Sequence, residues 1–408
     1  MTSGSRLTIP TAVLLCLHAI DGRALPSTPD DLLQECRAEN APPSRTDSIG
    51  AIVDGLVSSE LKSQGLPGLT IEVARHGRPI YARAYGYADL TPCLRTQVAT
   101  DYQIGSVTKQ FTAAAILQLQ STGRLALDDA VAGYLPAYAF DSRITVRMLL
   151  NQTSGLPDYL GFPAPPGVRG GAPVAEQTVL TAIAQAPLVF PPGTAYEYSN
   201  SNYFLLGAVI EAVSGMSYSE YLDEHILSPA RLHHTSLTQP LHAAAPYSYD
   251  HPAQAGATGL APGIVLDPSV YFSAGALWSD VSDLARWDLA LLSGRILPAA
   301  QLEIMLTPPA GVPVFGDAAA TSTYAMGWVR TTILGHPFVW HNGGTLAYTA
   351  FNGVFLDSGW SISILTNVDI QTPFGPFVGS VIEALCTSKT TDADCFGRDH
   401  ELADDRDY

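Results

Sequence analysis

The sequence predicts an α+β fold in which an antiparallel sheet, flanked by helices from both ends of the domain, stands beside a mainly helical lobe. Strand patterns occur near both ends of the 408-residue chain, and helical patterns dominate the segment between them. Hairpin signals join neighbouring strands, which is typical of antiparallel pairing. The clearest Pro/Gly-rich loops interrupt the helical segment. This arrangement predicts a cleft between two lobes, where a small-molecule site is expected.

The first part of the sheet follows a predicted helix. Residues Asp47–Gln64 have helical apolar spacing and begin with a capping aspartate. The stretch "GLTIEVARHGRPIYARAYGYAD" (Gly68–Asp89) has the pattern of two strands around a turn at His76-Gly77. We assign both elements to a sheet lobe made of residues 47–104 and 322–386.

Three more strands are predicted near the C-terminus, in "PFVWHNG", "YTAFNGVFL" and "WSISILTNV". The "DSG" between the last two is a hairpin signal. "FVGSVIEALC" (Phe377–Cys386) is predicted to be the closing helix. Residues 105–321, between the two groups of strands, form the predicted helical lobe. The whole domain therefore spans residues 47–386.

Both ends of the chain are predicted to lie outside this domain. In residues 1–24, Arg6 precedes a short apolar stretch, Leu7–Ile20, and small residues stand at Gly22 and Ala24. This pattern is typical of a secretory signal peptide. We therefore expect a secreted or periplasmic protein that is not inserted in a membrane after cleavage. Residues 25–46 are expected to form a surface extension, and the charged residues 387–408 a C-terminal tail.

Composition limits the choice of partners. The chain is 47% apolar and 14% charged, as expected of a globular protein, and its net charge is −17. That charge argues against nucleic acid or an anionic membrane as a partner. We expect a small molecule or short peptide as substrate, and the sequence leaves the oligomeric state open.

The five cysteines bear on the redox environment. Cys16 is removed with the predicted signal, which leaves an even number in an exported chain. This favours two disulfides, for which three pairings are possible. We prefer Cys36–Cys93, between two N-terminal segments, together with Cys386–Cys395, which closes a short loop. The cysteine spacing does not indicate a metal.

A serine and a lysine at i and i+3 open the first helix of the predicted helical lobe. In "GSVTKQFTAAAILQL", Ser106 and Lys109 share one face at the start of a helix, and the largely apolar run "FTAAAILQL" follows them. Apolar surroundings lower the pKa of a lysine, so that it can take a proton from the serine. Ser59 and Lys62 match the same pattern, but their polar surroundings indicate an exposed helix face. No GxSxG, HExxH, P-loop or GxGxxG sequence offers a competing site.

Two later segments offer partners for this pair. Tyr198 and Asn200 lie in a polar turn just before an apolar helix. A nearby ammonium would favour the Tyr198 phenolate, which could serve as a base toward Ser106. The alternative is that Tyr198 packs and Asn200 only caps the helix.

The other segment, "VWHNGGTLAY", ends a predicted strand and contains His341, Gly343 and Gly344. Glycines there let a substrate lie against the strand. The N–H groups of Gly344 and Ser106 would form an oxyanion hole. The alternative for His341 is a structural histidine at the end of a strand.

Taken together, these three elements resemble the penicillin-recognising serine hydrolases, in particular the class C β-lactamase branch. That branch includes D-alanyl-D-alanine carboxypeptidases, D-aminopeptidases and esterases with the same fold. The family order S-x-x-K, Y-x-N and K/H-x-G matches Ser106/Lys109, Tyr198/Asn200 and His341/Gly343. The phrases "MLLNQTSGLPDY" and "SAGALWSDVSDLARW" extend the likeness over roughly residues 47–386.

The resemblance implies an acyl-enzyme on Ser106, with Lys109 and Tyr198 handling the proton, and no cofactor or metal. It leaves open which of the two is the primary base. It also implies that Asp158 and Tyr159 line the mouth of the cleft and shape specificity.

One departure from the family pattern bears on the substrate. β-Lactamases of this branch normally carry a lysine where this chain has His341, and histidine is mostly neutral near pH 7. Efficient β-lactam hydrolysis is therefore in doubt. We expect an esterase or a D-amino-acid peptidase or carboxypeptidase. The alternatives are a class C type β-lactamase and a penicillin-binding sensor that stays acylated.

Overall fold

The computed structural model describes residues 28–39, 48–162, 172–249, 259–309, 322–370 and 374–387. Its centre is an eight-stranded sheet of order β3-β2-β1-β12-β11-β10-β9-β8, in which all neighbours pair antiparallel. Two-stranded ladders, β4-β7 and β5-β6, lie outside this sheet. The strands are β1 Gly68–Arg75, β2 Arg78–Asp89, β3 Leu94–Arg95, β4 Tyr102–Gln103, β5 Tyr247–Tyr249, β6 Leu260–Pro262, β7 Trp278–Ser279, β8 Thr323–Tyr324, β9 Val329–Ile333, β10 His336–Gly344, β11 Thr349–Phe355 and β12 Trp360–Thr366.

Most helices fall between β4 and β8. Short 3₁₀ turns cover Gly105–Val107, Tyr159–Gly161 and Phe272–Ala274, and a π-helical turn at Asp223–Leu227 joins α8 to α9. The α-helices are α1 Pro29–Glu39, α2 Ser48–Ser63, α3 Thr108–Ser121, α4 Val131–Tyr134, α5 Val146–Leu150, α6 Glu176–Gln185, α7 Asn200–Ser214, α8 Tyr218–Leu222, α9 Ser228–Ala230, α10 Pro268–Tyr271, α11 Val281–Leu292, α12 Ala299–Leu306 and α13 Gly375–Thr387.

The sheet separates two groups of helices. Helices α2 and α13 contact each other and share one apolar core with the sheet, to which Val57, Ile71 and Val381 belong. A second core joins α3, α7 and α11 to residues of β10–β12, and in it Phe111 stacks on Trp287. The predicted α+β fold, with an antiparallel sheet, flanking terminal helices and a helical lobe, is confirmed. Among the described helices, none is both long and apolar enough to cross a bilayer.

The structure contains strands and a helix that the sequence analysis did not predict. Beyond the three predicted C-terminal strands, the sheet continues with β9 and ends at the edge strand β8. Threonines in β8 and β9 obscure the alternation of apolar and polar residues that predicts a strand. The turn at Leu334-Gly335 separates β9 from β10. The N-terminal extension contains helix α1, whose Leu33 is only 3% exposed. A surface location is therefore wrong for this part of residues 25–46.

A disulfide explains why this helix stays on the domain. Cys36 of α1 is bonded to Cys93, as predicted, and lies in the core shared by α2, α13 and the sheet. The covalent link, across 57 residues, fastens α1 to the core that Leu33 also enters. The other predicted pair, Cys386–Cys395, lies outside the described side chains, as do the predicted signal peptide and tail.

Candidate active site

Ser106 lies in the 3₁₀ turn that leads from β4 into α3. The turn is entered through Gly105, whose φ of +50° is a conformation that favours glycine. The side chains of α3 are buried around almost the whole circumference of the helix. Lys109, in the first turn of α3, is fully buried, whereas Ser106, in the preceding 3₁₀ turn, is partly accessible. The prediction that Ser59 and Lys62 occupy an exposed helix face agrees with the structure, which exposes both on α2.

The Lys109 amine has three acceptors within hydrogen-bonding distance. Nζ lies 2.9 Å from Ser106 Oγ, 2.8 Å from Asn200 Oδ1 and 2.7 Å from the carbonyl oxygen of Ala274. Burial lowers the pKa of Lys109 to about 7, against a smaller opposing effect of the Asp158 carboxylate. A substantial fraction of this lysine is therefore neutral at pH 7 and has a lone pair available for the serine proton.

Tyr198 approaches the same serine from the other side. Its hydroxyl donates to Ser106 Oγ at 2.8 Å, and its ring centroid lies 4.9 Å from Lys109 Nζ. Burial raises the pKa of Tyr198 far above its usual value. The structure disfavours the expected phenolate, because the Tyr198 hydroxyl donates to Ser106 Oγ and burial favours the uncharged phenol.

Asn200 links the lysine to a carboxylate. While its Oδ1 accepts from Lys109, its Nδ2 donates to Asp158 Oδ2 at 2.8 Å. Asp158 also accepts from the Leu160 backbone N–H at 3.0 Å and caps the 3₁₀ turn that follows it. Asp158 thus fixes which end of the Asn200 amide faces Lys109.

Tyr159 does not line the mouth of the cleft, which corrects the sequence prediction. Its side chain is buried, packs edge-on against Phe204 and donates its hydroxyl to the carbonyl of Val270. Successive side chains of this segment point in opposite directions. Asp158 faces Asn200, and Tyr159 therefore points into the core of the helical lobe.

The end of β10 closes the site. Gly343 packs so tightly on the turn before the nucleophile that a Cβ there would lie 1.9 Å from the Ile104 carbonyl oxygen. Gly344 has open space around its Cβ position, and its N–H is near Gly105. The structure thus brings Gly343 and Gly344 beside Ser106, as an oxyanion hole requires.

His341 is buried next to these glycines, with 2% of its surface exposed. Its Nδ1 lies 2.6 Å from the Asn342 carbonyl oxygen and therefore carries the proton, while Nε2 lies 3.2 Å from the hydroxyl of Tyr324. Burial and the nearby Lys109 lower the pKa of His341 to about 3. The imidazole is neutral, and both of its nitrogens have partners in the protein.

Three site residues were missed by the sequence analysis. Ala274 acts through its backbone carbonyl, which no side-chain pattern reveals. Tyr324 belongs to the short edge strand β8 and contacts the rings of Tyr198 and His341. Gln152 accepts from the Ser199 backbone N–H at 3.0 Å and so holds the turn that carries Tyr198; it stands within the quoted phrase "MLLNQTSGLPDY", which was the available signal.

The fold and the Ser–Lys–Tyr cluster define a serine hydrolase of the penicillin-recognising class. A family model described as Beta-lactamase matches residues 53–379, and the chain belongs to that family.

Individual relatives agree with this assignment. The PbpX protein of Bacillus subtilis is 28% identical over 330 residues, which are 81% of this chain and 78% of PbpX. A D-stereospecific amidohydrolase from Streptomyces sp. has a TM-score of 0.70 and 29% identity, with 82% of this chain and 98% of that chain covered. An octameric penicillin-binding protein homologue from Pyrococcus abyssi has a TM-score of 0.69 and 26% identity, covering 82% and 76% of the respective chains.

Proposed function

We propose that this protein hydrolyses ester or amide bonds of small molecules or short peptides through an acyl-enzyme on Ser106. The observation that carries the proposal is the position of Ser106 Oγ, 2.9 Å from Lys109 Nζ and 2.8 Å from the Tyr198 hydroxyl. A serine hydroxyl is a weak nucleophile, and this arrangement gives it a base on one side and an acid on the other.

The pKa shifts of Lys109 and Tyr198 support a division of roles between them. Neutral Lys109 takes the Ser106 proton as Oγ attacks the carbonyl carbon, and the N–H groups of Ser106 and Gly344 bind the oxyanion. Tyr198, a protonated phenol, then gives its proton to the leaving nitrogen or oxygen as the bond to carbon breaks. The proton on Lys109 restores Tyr198, and a water molecule releases the acid by the same steps in reverse.

The charges around the serine favour substrates without a carboxylate near the reacting bond. His341 is neutral, and its Nε2 is hydrogen-bonded to the hydroxyl of Tyr324. It therefore does not supply the positive charge that the lysine supplies in β-lactamases. The Asp158 carboxylate adds negative charge close to Asn200. Neutral esters and amides of amino acids with a free ammonium group suit this site better than anionic β-lactams. The likeness to the Streptomyces D-stereospecific amidohydrolase supports D-amino-acid derivatives among these amides.

We also propose that the protein acts outside the cytosol. The signal-like pattern of residues 1–24 supports this location, and so does the Cys36–Cys93 disulfide, which persists in oxidising compartments.

Labelling with a fluorophosphonate tests the nucleophile. The reagent should add its mass to the peptide that contains Ser106, and Ser106→Ala should abolish labelling. Ser59→Ala is the matched control, because Ser59 precedes a lysine by the same three residues and should leave labelling intact. Labelling that persists in Ser106→Ala would refute the proposal.

Turnover tests the chemistry. A p-nitrophenyl ester and a D-amino-acid amide should be hydrolysed faster than a chromogenic cephalosporin. Lys109→Ala and Tyr198→Phe should each lower kcat by roughly 100- to 10,000-fold, and the double variant by much less than the product. Stoichiometric acylation without turnover would instead indicate a sensor.

A further inference from the structure

A cluster of two aspartates and a histidine lies apart from the residues proposed for catalysis. Asp101, His234 and Asp280 each offer a ligand atom, and these atoms lie within 4.8 Å of one another. We propose that this cluster is a binding site for a divalent transition metal ion of the zinc type. This proposal is independent of the function proposed above.

The fold builds the cluster from three segments. Asp101 immediately precedes β4, and Asp280 immediately follows β7. Because these strands pair antiparallel with Tyr102 opposite Ser279, the two aspartates are brought opposite each other. His234 arrives from a third segment, in which the Ser236 N–H donates to the carbonyl of Trp278 at 3.1 Å.

The distances suit a small ion. His234 Nδ1 lies 3.1 Å from Asp101 Oδ1 and 3.7 Å from Asp280 Oδ2. Ligand atoms of a tetrahedral zinc ion, with bonds of roughly 2.0–2.1 Å, lie about 3.3 Å apart. The ion would therefore fit among the three atoms after small side-chain movements, bound by one imidazole nitrogen and two carboxylate oxygens.

The charge balance also favours a cation. The side chains of Asp101 and Asp280 are 4% and 2% exposed, whereas His234 is 43% exposed. An imidazolium supplies one positive charge for two buried carboxylates, and a divalent ion with neutral imidazole balances both. The second oxygen of Asp280 accepts from the Asp283 N–H at 2.7 Å, which holds that carboxylate in place.

The exposed side of His234 provides access for the ion and room for water ligands. A bound ion would fasten β4, the strand that leads to Ser106, to the start of α11. Its role would be structural, because the three ligands are separate from the contacts that Ser106 makes.

Zinc titration tests the proposal in protein without a histidine tag. Calorimetry should show one Zn²⁺ bound per chain, and saturating zinc should raise Tm by about 2–5 °C. His234→Ala should lose both effects. His336→Ala is the matched control, because His336 Nδ1 lies 2.6 Å from the single carboxylate of Asp357 and should leave zinc binding unchanged.

Two further measurements keep the test decisive. Asp101→Asn keeps the size of the side chain and should weaken zinc binding at least tenfold if His234→Ala does not fold. Cobalt added to the wild type should give the visible absorption of nitrogen- and oxygen-bound Co²⁺, and zinc should displace it. Absence of zinc binding by the wild type, or unchanged binding in folded His234→Ala or Asp101→Asn, would overturn the proposal.

Discussion

Asp158 should control the pH at which the enzyme becomes active. Lys109 Nζ donates to Asn200 Oδ1 at 2.8 Å, and Asn200 Nδ2 donates to Asp158 at 2.8 Å, so one amide group separates the two charges. The carboxylate stabilises the lysine ammonium and opposes the effect of burial. Asp158→Asn removes this charge, which should lower the pKa of Lys109 and leave more of it neutral at acidic pH.

The size of the shift follows from Coulomb's law. With the buried ammonium and the partly exposed carboxylate about 7 Å apart, and an effective dielectric constant of about 40, between about 20 for protein sites and about 80 for water, the interaction is about 1.2 kcal/mol. This corresponds to roughly 0.9 pKa units. The acid limb of kcat/KM, near pH 7 in the wild type, should therefore move to about pH 6. Relative to its own plateau, the variant should be about fivefold more active than the wild type at pH 6.

The assay is the pH profile of kcat/KM on an uncharged ester between pH 5 and 9. The plateau value of kcat/KM should fall in Asp158→Asn, because an asparagine cannot accept both hydrogen bonds that Asp158 accepts from Asn200 and Leu160. The pH of the acid limb, by contrast, reports only the loss of the charge. Asp357→Asn removes the same charge at the far end of the seven-residue strand β11, roughly 20 Å from Gly344, and should not move the limb. A limb that stays in place in Asp158→Asn, or moves to higher pH, would refute Lys109 as the base.

Three other predictions use groups away from this pair. His341, with a pKa of about 3, stays neutral between pH 5 and 8. When kcat/KM is measured for an anionic and a neutral ester of the same acid, the ratio of the two values should therefore not rise through protonation of His341 as the pH falls. His341→Gln, which stays uncharged, should leave the pH dependence of that ratio unchanged. Cys93→Ser opens a loop closed across 57 residues and should cost about 4 kcal/mol in urea unfolding; a loss below 1 kcal/mol would contradict this. Burial raises the pKa of Asp288 to about 8 from 3.8, so the folded protein holds a proton that the unfolded chain releases. This group therefore makes stability fall as pH rises from about 4 to 8, and Asp288→Asn should flatten that slope; an unchanged slope would count against it.

Much of the fold was predictable because local patterns carry it. Gly68–Asp89 forms the hairpin that its alternation and the His76-Gly77 turn predict, and "DSG" joins β11 to β12. Helix α1 was missed because its burial depends on the disulfide and on contacts with the β-sheet core rather than on its own pattern. Short edge strands such as β8 were missed because two residues carry no periodicity.

The sequence by itself determined the family, the order of its three motifs and the cluster of Ser106, Lys109 and Tyr198. Packing decides how far their pKa values move: burial lowers the pKa of Lys109 to about 7 and that of His341 to about 3, and raises the pKa of Tyr198. It also brings Asp101 and Asp280, from segments far apart in the sequence, next to His234. The physical reason is that a pKa depends on how much water and which charges surround a group. Those surroundings come from residues that lie far apart in the sequence and meet only when the chain is packed.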